Sequence, residues 1–342
     1  MSARESIIPV FVPHLGCPHA CVFCNQRRIS GSSRPATAED VICAVEKAAA
    51  LPHHGAKRQL AFYGGSFTAI PAAQQLSLLR AAKGELDRGN IHSIRLSTRP
   101  DAIDDAILTR LEQYGVETIE LGAQSMDENV LRLAGRGHTG ADVERAARLI
   151  KERGFRLILQ MMTGLPGATK ESDLSTAKQL AALKPDGVRI YPTVIVRDTA
   201  LYELWQAGKY QEHTVEAAVE TCARLLPAFE DAGIPVIRLG LNPTEELSAG
   251  AAVAGAYHPA LGELVQSRLM LNEARRVLAE VPLHSAVTLA VARGKISQMT
   301  GQHRQNVAAL CREFGLRSLK IKETDLKGRE IQIFSLEISG DI

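Results

Sequence analysis

The chain has 342 residues, of which 45% are hydrophobic and 23% charged, and its formal net charge at pH 7 is +2. This is the composition of a globular protein large enough for two domains or for one barrel with an appendage, and its near-neutral charge excludes bulk attraction to nucleic acid but leaves room for a local basic patch. Because no run approaches the ~20 apolar residues of a membrane span and no apolar leader stands at the start, we expect a cytoplasmic protein that does not bind membranes.

Three cysteines stand within eight residues, directly after a predicted strand at residues 7–12. The segment reads Cys17-Pro18-His19-Ala20-Cys21-Val22-Phe23-Cys24. An extended residue spans only about 3.5 Å, so a loop this short can turn three thiolates onto one small object. Thiolates suit an iron–sulfur cluster or zinc, but the fourth ligand that a structural zinc site requires does not follow at comparable spacing. Three unreactive buried cysteines are the plain alternative, although such cysteines have no reason to gather in a loop.

Strands and helices alternate along the chain up to about residue 205. Hydrophobic patterning predicts the strands at residues 7–12, 59–63, 92–97, 117–122, 156–161 and 187–191. It predicts the helices at residues 37–50, 71–87, 104–114, 128–153 with a break near 135–140, and 170–183. Repeated strand–helix units form parallel sheets, so we expect an α/β protein with a partial (β/α)6 TIM-like barrel. A helix at 214–232 and a strand at 234–239 are expected to extend the sheet or wrap its edge.

The pattern changes from about residue 244, and we therefore assign residues 1–243 to the barrel with its extension and 244–342 to a C-terminal α+β module. Its predicted elements are a helix at 261–279, a strand at 286–291, a helix at 302–314 and strands at 317–322 and 330–338. A glycine turn at Gly301 opens a basic amphipathic helix and loosely resembles the nucleotide-clamping Gly-x-x-Gly loop of KH modules. Arg304 stands where the second glycine belongs, so a lid or packing role is preferred to RNA binding.

Unusual residues gather at the carboxyl ends of the predicted strands, where α/β barrels bind their ligands. They are the cysteine loop, Gly64-Gly65-Ser66, Arg99, Gln124 with Ser125, and Thr163-Gly164-Leu165-Pro166-Gly167. The fork of Arg99 suits a carboxylate, or alternatively a salt bridge to Asp101 or Asp104. Gln160 is polar within an apolar strand, so it either faces the barrel interior or is a satisfied buried amide.

Several of these motifs match a known family. The C-x3-C-x2-C spacing, with an aromatic residue before the last cysteine, resembles the signature of radical S-adenosylmethionine (radical SAM) enzymes. Four further motifs resemble the radical SAM domain of the Elongator complex catalytic subunit, and the resemblance covers roughly residues 7–240. They are Arg99-Pro100-Asp101, Glu120-Leu121-Gly122-Ala123-Gln124-Ser125, Arg136-Gly137-His138-Thr139 and Arg189-Ile190-Tyr191-Pro192-Thr193.

The resemblance implies that Cys17, Cys21 and Cys24 hold a 4Fe-4S cluster that binds S-adenosylmethionine and cleaves it to a 5′-deoxyadenosyl radical. Ser66 replaces the glutamate of the family's Gly-Gly-Glu motif, so backbone carbonyls would have to bind the ammonium group of the cofactor. The expected cofactor-binding residues are Gly64, Gly65, Ser66, Arg99, Gln124, Ser125, Gln160 and Leu165. No catalytic residue is assigned.

Three further residues carry expectations of their own. Phe23 is expected to cover the cluster edge and Tyr191 to lie near the substrate. His138 is expected to be an exposed loop residue without a function.

Two departures from the Elongator pattern limit what the resemblance implies. The cysteine spacing is the ordinary radical SAM spacing, whereas the eukaryotic subunit has a wider first gap. The glycine-rich acetyl-CoA loop of the family's acetyltransferase domain does not follow in this sequence, so the full carboxymethylation of a wobble uridine is not expected.

We expect a radical SAM enzyme that acts on an RNA nucleoside, with tRNA and an electron donor of the flavodoxin or ferredoxin type as partners. One alternative is a small-molecule radical SAM enzyme like the oxygen-independent coproporphyrinogen oxidase. The other is a non-catalytic iron–sulfur protein.

Overall fold

A computed structural model describes residues 5–12, 21–25, 34–51, 55–241 and 250–338. The chain divides into two compact units, the first comprising Met1–Thr221 and Leu225–Tyr257 and the second Cys222–Arg224 and His258–Ile342. The domain boundary predicted between residues 243 and 244 lies outside the described residues and stays a prediction. Within the described ranges, no helix is both long enough and apolar enough to cross a membrane.

The first unit is built on a parallel sheet. Its strands are, in chain order, β1 (Glu5–Val12), β2 (Lys57–Gly64), β3 (Ser93–Thr98), β4 (Val116–Gln124), β5 (Arg156–Thr163), β6 (Gly187–Pro192), β7 (Val194–Val196), β8 (Val236–Leu239) and β9 (Ala252–Gly255). Seven of them form one sheet in the order β1-β2-β3-β4-β5-β6-β8, and every neighbouring pair is parallel. The expected curled, barrel-type sheet is thereby confirmed, and the strand predicted at 234–239 extends it beside β6.

Helices connect the strands of this unit. They are α1 (Ala38–Ala49), α2 (Ala72–Asp87), α3 (Asp105–Gln113), α4 (Glu128–Leu133), α5 (Gly140–Glu152), α6 (Lys170–Ala182), α7 (Ala200–Gln206) and α8 (Val215–Glu230). Thr37, Thr139 and Thr169 cap α1, α5 and α6, each in a reciprocal capping box that fixes where the helix begins. The predicted break near 135–140 separates α4 from α5, whereas α7 and the antiparallel pair β7–β9 were not predicted.

The two faces of the parallel sheet differ in polarity. Successive side chains of a strand point to opposite faces. One face carries fully buried apolar residues, among them Leu60, Leu96 and Leu121. The other face is polar and carries Gln59, Arg95, Glu120, Gln160 and Arg189. Because parallel sheets are ordinarily apolar on both faces, the polar face indicates a binding site.

The second unit is a small α+β module, as expected. It contains α9 (Leu261–Leu278), β10 (Ala286–Ala292), α10 (Ile296–Thr300), α11 (Gln305–Glu313), β11 (Ser318–Thr324) and β12 (Ile331–Glu337). The strand order is β11-β10-β12, with β10 parallel to β11 and antiparallel to β12. Apolar residues from α9, β10 and α11 form one core, including Met270, Leu289 and Leu310. The short helix α10 was not predicted.

Candidate functional site

The described part of the cysteine segment, residues 21–24, is held by backbone hydrogen bonds to two helices. Within it, the Cys24 N–H donates to the carbonyl oxygen of Cys21 at 3.1 Å, which turns the chain between the two thiols. Val22 donates to the carbonyl of Ala134, at the end of α4 (3.1 Å), and accepts from the N–H of Leu201 in α7 (2.8 Å). Both described cysteines are half-buried. The third predicted ligand, Cys17, lies outside the described residues.

Phe23 and Leu165 belong to one apolar cluster at this end of the sheet. Leu165, in the loop after β5, is 2% exposed and packs with Val130 and Ala134 of the α4 region. Phe23 packs against the same cluster. Leu165 therefore belongs to the apolar cluster against which Phe23 of the cysteine segment packs. Its predicted contact with the cofactor, and the predicted cover of Phe23 over the cluster edge, remain untested.

Arg136 joins the cysteine segment to the end of β4. Its Nη1 lies 3.4 Å from Cys21 Sγ, and its Nη2 donates to the carbonyl of Gly122 at 2.7 Å. A Cβ atom at Gly122 would lie 3.4 Å from that Nη2 and 2.8 Å from the Gln124 amide nitrogen, so the glycine makes room for both side chains. Sequence reasoning named Arg136 only as part of a motif and assigned it no role.

Arg99 lies behind Arg136. It is 2% exposed, its Nη2 donates to the backbone carbonyl of Arg136, and its Nε donates to Asp101 Oδ1 at 2.6 Å. The salt bridge to Asp101 that was predicted as the alternative therefore forms. Arg99 Nη1 has no partner among the described residues, and the carboxylate ligand predicted for Arg99 stays a prediction.

Four buried polar atoms at the carboxyl ends of β3 and β4 have no hydrogen-bond partner among the described residues. Two are donors, Arg99 Nη1 and Arg136 Nε, and two are acceptors, Gln124 Oε1 and His138 Nδ1. An unsatisfied buried polar atom costs about 1–3 kcal/mol, so such a group calls for a partner that completes it. A ligand that carries both a carboxylate and an ammonium group, as the methionine part of S-adenosylmethionine does, matches this mixed set.

His138 corrects an expectation. It is 3% exposed rather than an exposed loop residue, because Nε2 donates to the carbonyl of Ala123 at 3.0 Å and this bond folds the ring over the end of β4. Burial, together with the Arg136 guanidinium, lowers the pKa of His138 to about 4. The ring is therefore neutral at pH 7, and with Nε2 as the donor its Nδ1 is an acceptor.

The other predicted cofactor residues lie at the ends of β2 and β4. Gly64 ends β2 with φ +101°, a conformation that favours glycine, Gly65 follows it, and the buried Ser66 opens a short 3₁₀ turn. Gln124 also has a positive φ of 64°. The hydroxyl of Ser125, in contrast, accepts from the N–H of Asp127 and contacts Thr176, so it already fastens the start of α4.

The polar face of the sheet is organised by Glu120, a residue that sequence reasoning did not single out as part of the site. Its carboxylate is fully buried. Oε1 accepts from Tyr63 (2.8 Å), Arg95 (2.7 Å) and Arg189 (2.9 Å), and Oε2 accepts from Gln160 (2.8 Å). Gln160 Nε2 also contacts Ser97 at 3.3 Å, so the amide is hydrogen-bonded on the polar face, and its predicted contact with the cofactor stays a prediction.

Two arginines, Arg95 and Arg189, share the carboxylate of Glu120 on this face. Arg95 also pairs with the half-exposed Glu5, whereas Arg189 also contacts the hydroxyls of Tyr63 and Tyr191. The buried Arg189 Nε has no partner within the described ranges. Tyr191 therefore lies on the polar face.

The loop after β5 is held by two further polar side chains, those of Asp173 and Tyr210. A Cβ atom at Gly164, which has φ +70°, would lie 2.2 Å from the His213 ring. The carboxylate of Asp173 accepts from the Gly164 N–H at 3.1 Å, and the Tyr210 hydroxyl donates to the carbonyl oxygen of Gly164 at 2.6 Å. Burial raises the pKa of Asp173 to about 7 and lowers that of His213 to about 4. This loop is therefore rigidly supported from two sides.

The residues present fit the cofactors that the sequence predicted. Cys21 and Cys24 offer soft thiolate ligands on one turn, an arginine N–H lies against one of them, and unsatisfied donors and acceptors lie beside it. Within the described ranges no three metal-ligating side chains are grouped, and Cys17 lies outside those ranges. A parallel sheet that carries polar and cysteine side chains at its strand ends is typical of a barrel-type enzyme, which binds its ligands there.

Comparison with known proteins identifies the family. The model of the radical SAM superfamily matches residues 11–180, and that of the radical SAM C-terminal domain matches residues 185–270. Together the two matches cover most of the chain. The chain belongs to the radical SAM superfamily.

Similar proteins include Elongator complex proteins. The chain is 32% identical to Elongator complex protein 3 of Schizosaccharomyces pombe over 202 residues, which are 53% of this chain and 37% of that protein. It is 25% identical to the tRNA uridine(34) acetyltransferase of Methanocaldococcus infernus over 300 residues, 76% of this chain and 55% of that enzyme. The chain thus spans about half the length of these relatives or less.

A solved structure supports the fold. The archaeal Methanocaldococcus infernus Elp3 with an N-terminal deletion superposes with a TM-score of 0.62 at 21% identity, covering 84% of this chain and 71% of that one. At this identity the likeness is one of fold.

Proposed function

We propose that this protein cleaves S-adenosylmethionine reductively at a 4Fe-4S cluster held by Cys17, Cys21 and Cys24, and that it acts on a nucleoside of tRNA. The observation that carries the first part is the Arg136 guanidinium against Cys21 Sγ, with unsatisfied polar atoms beside it at the strand ends. When bound, the cluster supplies the electron that breaks a carbon–sulfur bond of the cofactor.

The side chains of the chain itself would have distinct tasks in this reaction. Hydrogen bonds to the sulfurs of a cluster help to set its potential, and Arg136 is placed to donate one to Cys21. Arg99 Nη1 and Gln124 Oε1 would bind the carboxylate and the ammonium group of the cofactor. The carbonyls around Gly64 and Gly65 would contribute without a side chain in the way.

Substrate binding would use the polar face of the sheet. Arg189 Nε is an unsatisfied buried donor there, and Arg189 shares the single carboxylate of Glu120 with Arg95. An anionic group suits this balance, and a nucleotide carries one. The archaeal relative named as a tRNA uridine(34) acetyltransferase supports tRNA as the polynucleotide.

Anaerobic reconstitution with iron and sulfide tests the proposal. Dithionite and S-adenosylmethionine are added, and 5′-deoxyadenosine is measured with and without bulk tRNA. We expect the product to form, to increase when tRNA is present, and to vanish in Cys21→Ala. Cys43→Ala, a substitution of an exposed cysteine in α1, is the matched control and should keep full activity.

Two results would contradict the proposal in separable ways. Absence of 5′-deoxyadenosine from the fully reconstituted protein would refute the radical reaction and favour a non-catalytic iron–sulfur protein. If tRNA leaves the amount of product unchanged, only the choice of tRNA as the substrate is refuted, and the radical reaction stands. The electron donor in the cell is proposed to be of the flavodoxin or ferredoxin type, and replacement of dithionite by a reduced flavodoxin should sustain turnover.

A further inference from the structure

The second unit has an unusual order of elements around its central strand. From β10 the chain passes through α10, a four-residue turn at residues 301–304 and α11, and then enters β11, which is parallel to β10. The strand β12 completes the sheet on the other edge, antiparallel to β10. Two helices that are joined by a short glycine-containing turn therefore connect two adjacent parallel strands.

The backbone of the turn is held in a conformation that most residues avoid. Gly301, His303 and Arg304 have φ values of 71°, 48° and 61°. A non-glycine residue in the left-handed region costs roughly 1–2 kcal/mol, and two of them stand here in succession. Arg304 takes the left-handed conformation that a glycine in its place would adopt, so the missing second glycine does not prevent the turn.

A buried asparagine holds the turn in place. Asn306 is 4% exposed, and its Nδ2 contacts the carbonyls of Ser267 in α9 and Met299 in α10, each at 3.2 Å. A Cβ atom at Gly301 would lie 2.9 Å from Asn306 Cγ, so a side chain at position 301 is excluded. The three helices are thus tied together directly behind the turn, and its shape exists before any ligand binds.

The outer side of the turn is polar and open. Gln302, His303 and Arg304 are exposed. Lys320 and Lys322 of β11 are exposed as well, but they lie on the face of the sheet opposite the helices, where Lys322 Nζ stands 4.0 Å from the ring centre of Phe334. In residues 258–342 Lys and Arg outnumber Asp and Glu by twelve to nine, so the unit is only mildly basic. Attraction of a polyanion would therefore come from local contacts at the turn rather than from bulk charge.

We propose that the turn at residues 301–304 binds the sugar–phosphate backbone of single-stranded RNA. A rigid glycine turn between two helices is the device by which KH modules clamp about four nucleotides of backbone. Here the exposed Arg304 adds a charge to the backbone contacts. The choice of RNA as the polynucleotide rests on the proposed function, whereas the site itself rests on the topology and the turn.

The test is direct binding by the full chain, without S-adenosylmethionine or reductant. Fluorescence anisotropy is measured with a labelled single-stranded RNA of about ten nucleotides, longer than the four that such a turn holds, and with DNA of the same sequence. Gln302→Asp with His303→Asp places two carboxylates at the phosphate position, and both positions tolerate aspartate because they are exposed. We expect RNA binding to weaken by at least about tenfold.

The matched control carries the same charge change on the opposite edge of the sheet. Gln332 and Ser335 are exposed on β12, so Gln332→Asp with Ser335→Asp should bind RNA like the wild type. Equal weakening in both double variants, or no weakening in either, would overturn the proposal. Circular dichroism of each variant confirms that the fold is intact.

Salt dependence gives a second readout. Arg304→Asn removes one charge while keeping a residue that tolerates the left-handed conformation, and it should lower the slope of log K against log salt by about 0.7, the value for one phosphate of a single strand. Arg312→Gln, an exposed position near the other end of α11, should leave the slope unchanged. An unchanged slope in Arg304→Asn would contradict the proposed contact.

The outcome is separable from that of the proposed function. No measurable RNA binding by a chain that still forms 5′-deoxyadenosine would overturn this inference alone. Binding that depends on the turn, in a chain that forms no 5′-deoxyadenosine, would support it while refuting the radical reaction. Equal or tighter binding of the DNA would overturn RNA as the ligand.

Discussion

Replacement of Glu120 by glutamine is the sharpest test of the interior network. The substitution keeps the shape of the side chain and removes the charge that Arg95 and Arg189 share. Glu120 accepts four hydrogen bonds from surrounding side chains, and its carboxylate is fully buried. Loss of one partner of a buried ion pair costs about 3–5 kcal/mol, because the remaining charge stays buried and uncompensated.

The expected result is a loss of about 3–5 kcal/mol in the free energy of unfolding, or about 10 °C in melting temperature for a unit of this size. Urea unfolding followed by tryptophan fluorescence measures it well, because Trp205 is the single tryptophan of the chain and lies in α7, in the same unit as Glu120. Glu117→Gln, at an exposed position of the same strand, is the control and should change stability by less than about 0.5 kcal/mol. If Glu120→Gln unfolds at the urea concentration of the wild type, the network does not stabilise the sheet and this reasoning fails.

Three further substitutions test the loop after β5 and the caps. Because burial raises the pKa of Asp173 to about 7, the folded state keeps its proton where the unfolded state has lost it, and wild-type stability relative to Asp173→Asn should fall by about 3 kcal/mol between pH 4 and pH 7. Urea titrations that run parallel across this range would contradict the buried carboxyl. Gly164→Ala should weaken S-adenosylmethionine binding in equilibrium dialysis and destabilise the fold, because its Cβ atom would overlap the His213 ring. The control is Gly154→Ala, whose Cβ atom meets no atom within 4 Å and whose only cost is the positive φ. Equal effects of the two substitutions would refute a specific clash at Gly164. Thr139→Ala should cost about 1 kcal/mol in urea unfolding by removing the α5 cap, and an unchanged midpoint would show that the cap is dispensable.

The sequence predicts the barrel well where the signals are local. Thr37, Thr139 and Thr169 each mark a helix start through a cap that spans only three residues, and apolar runs between them mark the buried strands. The pair β7–β9 escapes such reasoning, because Val194–Val196 finds its partner more than fifty residues further along the chain. The helix α10 has five residues, too few for a periodic pattern.

The site is predicted less completely than the fold. Arg99 and Gln124 were located from their positions at strand ends, and both have an unsatisfied buried atom there. Glu120 was recognised only as part of a motif, because its partners come from four different strands and no single segment of the sequence shows them. A charged residue within an apolar strand was the signal that could have identified it. The prediction that His138 is exposed was wrong for a related reason, since its burial depends on the carbonyl of Ala123, fifteen residues away.

The central claim is that three cysteines hold a cluster whose open iron binds S-adenosylmethionine. Electron paramagnetic resonance of the anaerobically reconstituted, dithionite-reduced protein tests it most directly, in a titration with S-adenosylmethionine. We expect the signal of a reduced 4Fe-4S cluster that changes on addition of the cofactor and is absent from Cys21→Ala. A protein that binds one zinc ion and shows no such signal, or a cluster signal that the cofactor leaves unchanged, would contradict it.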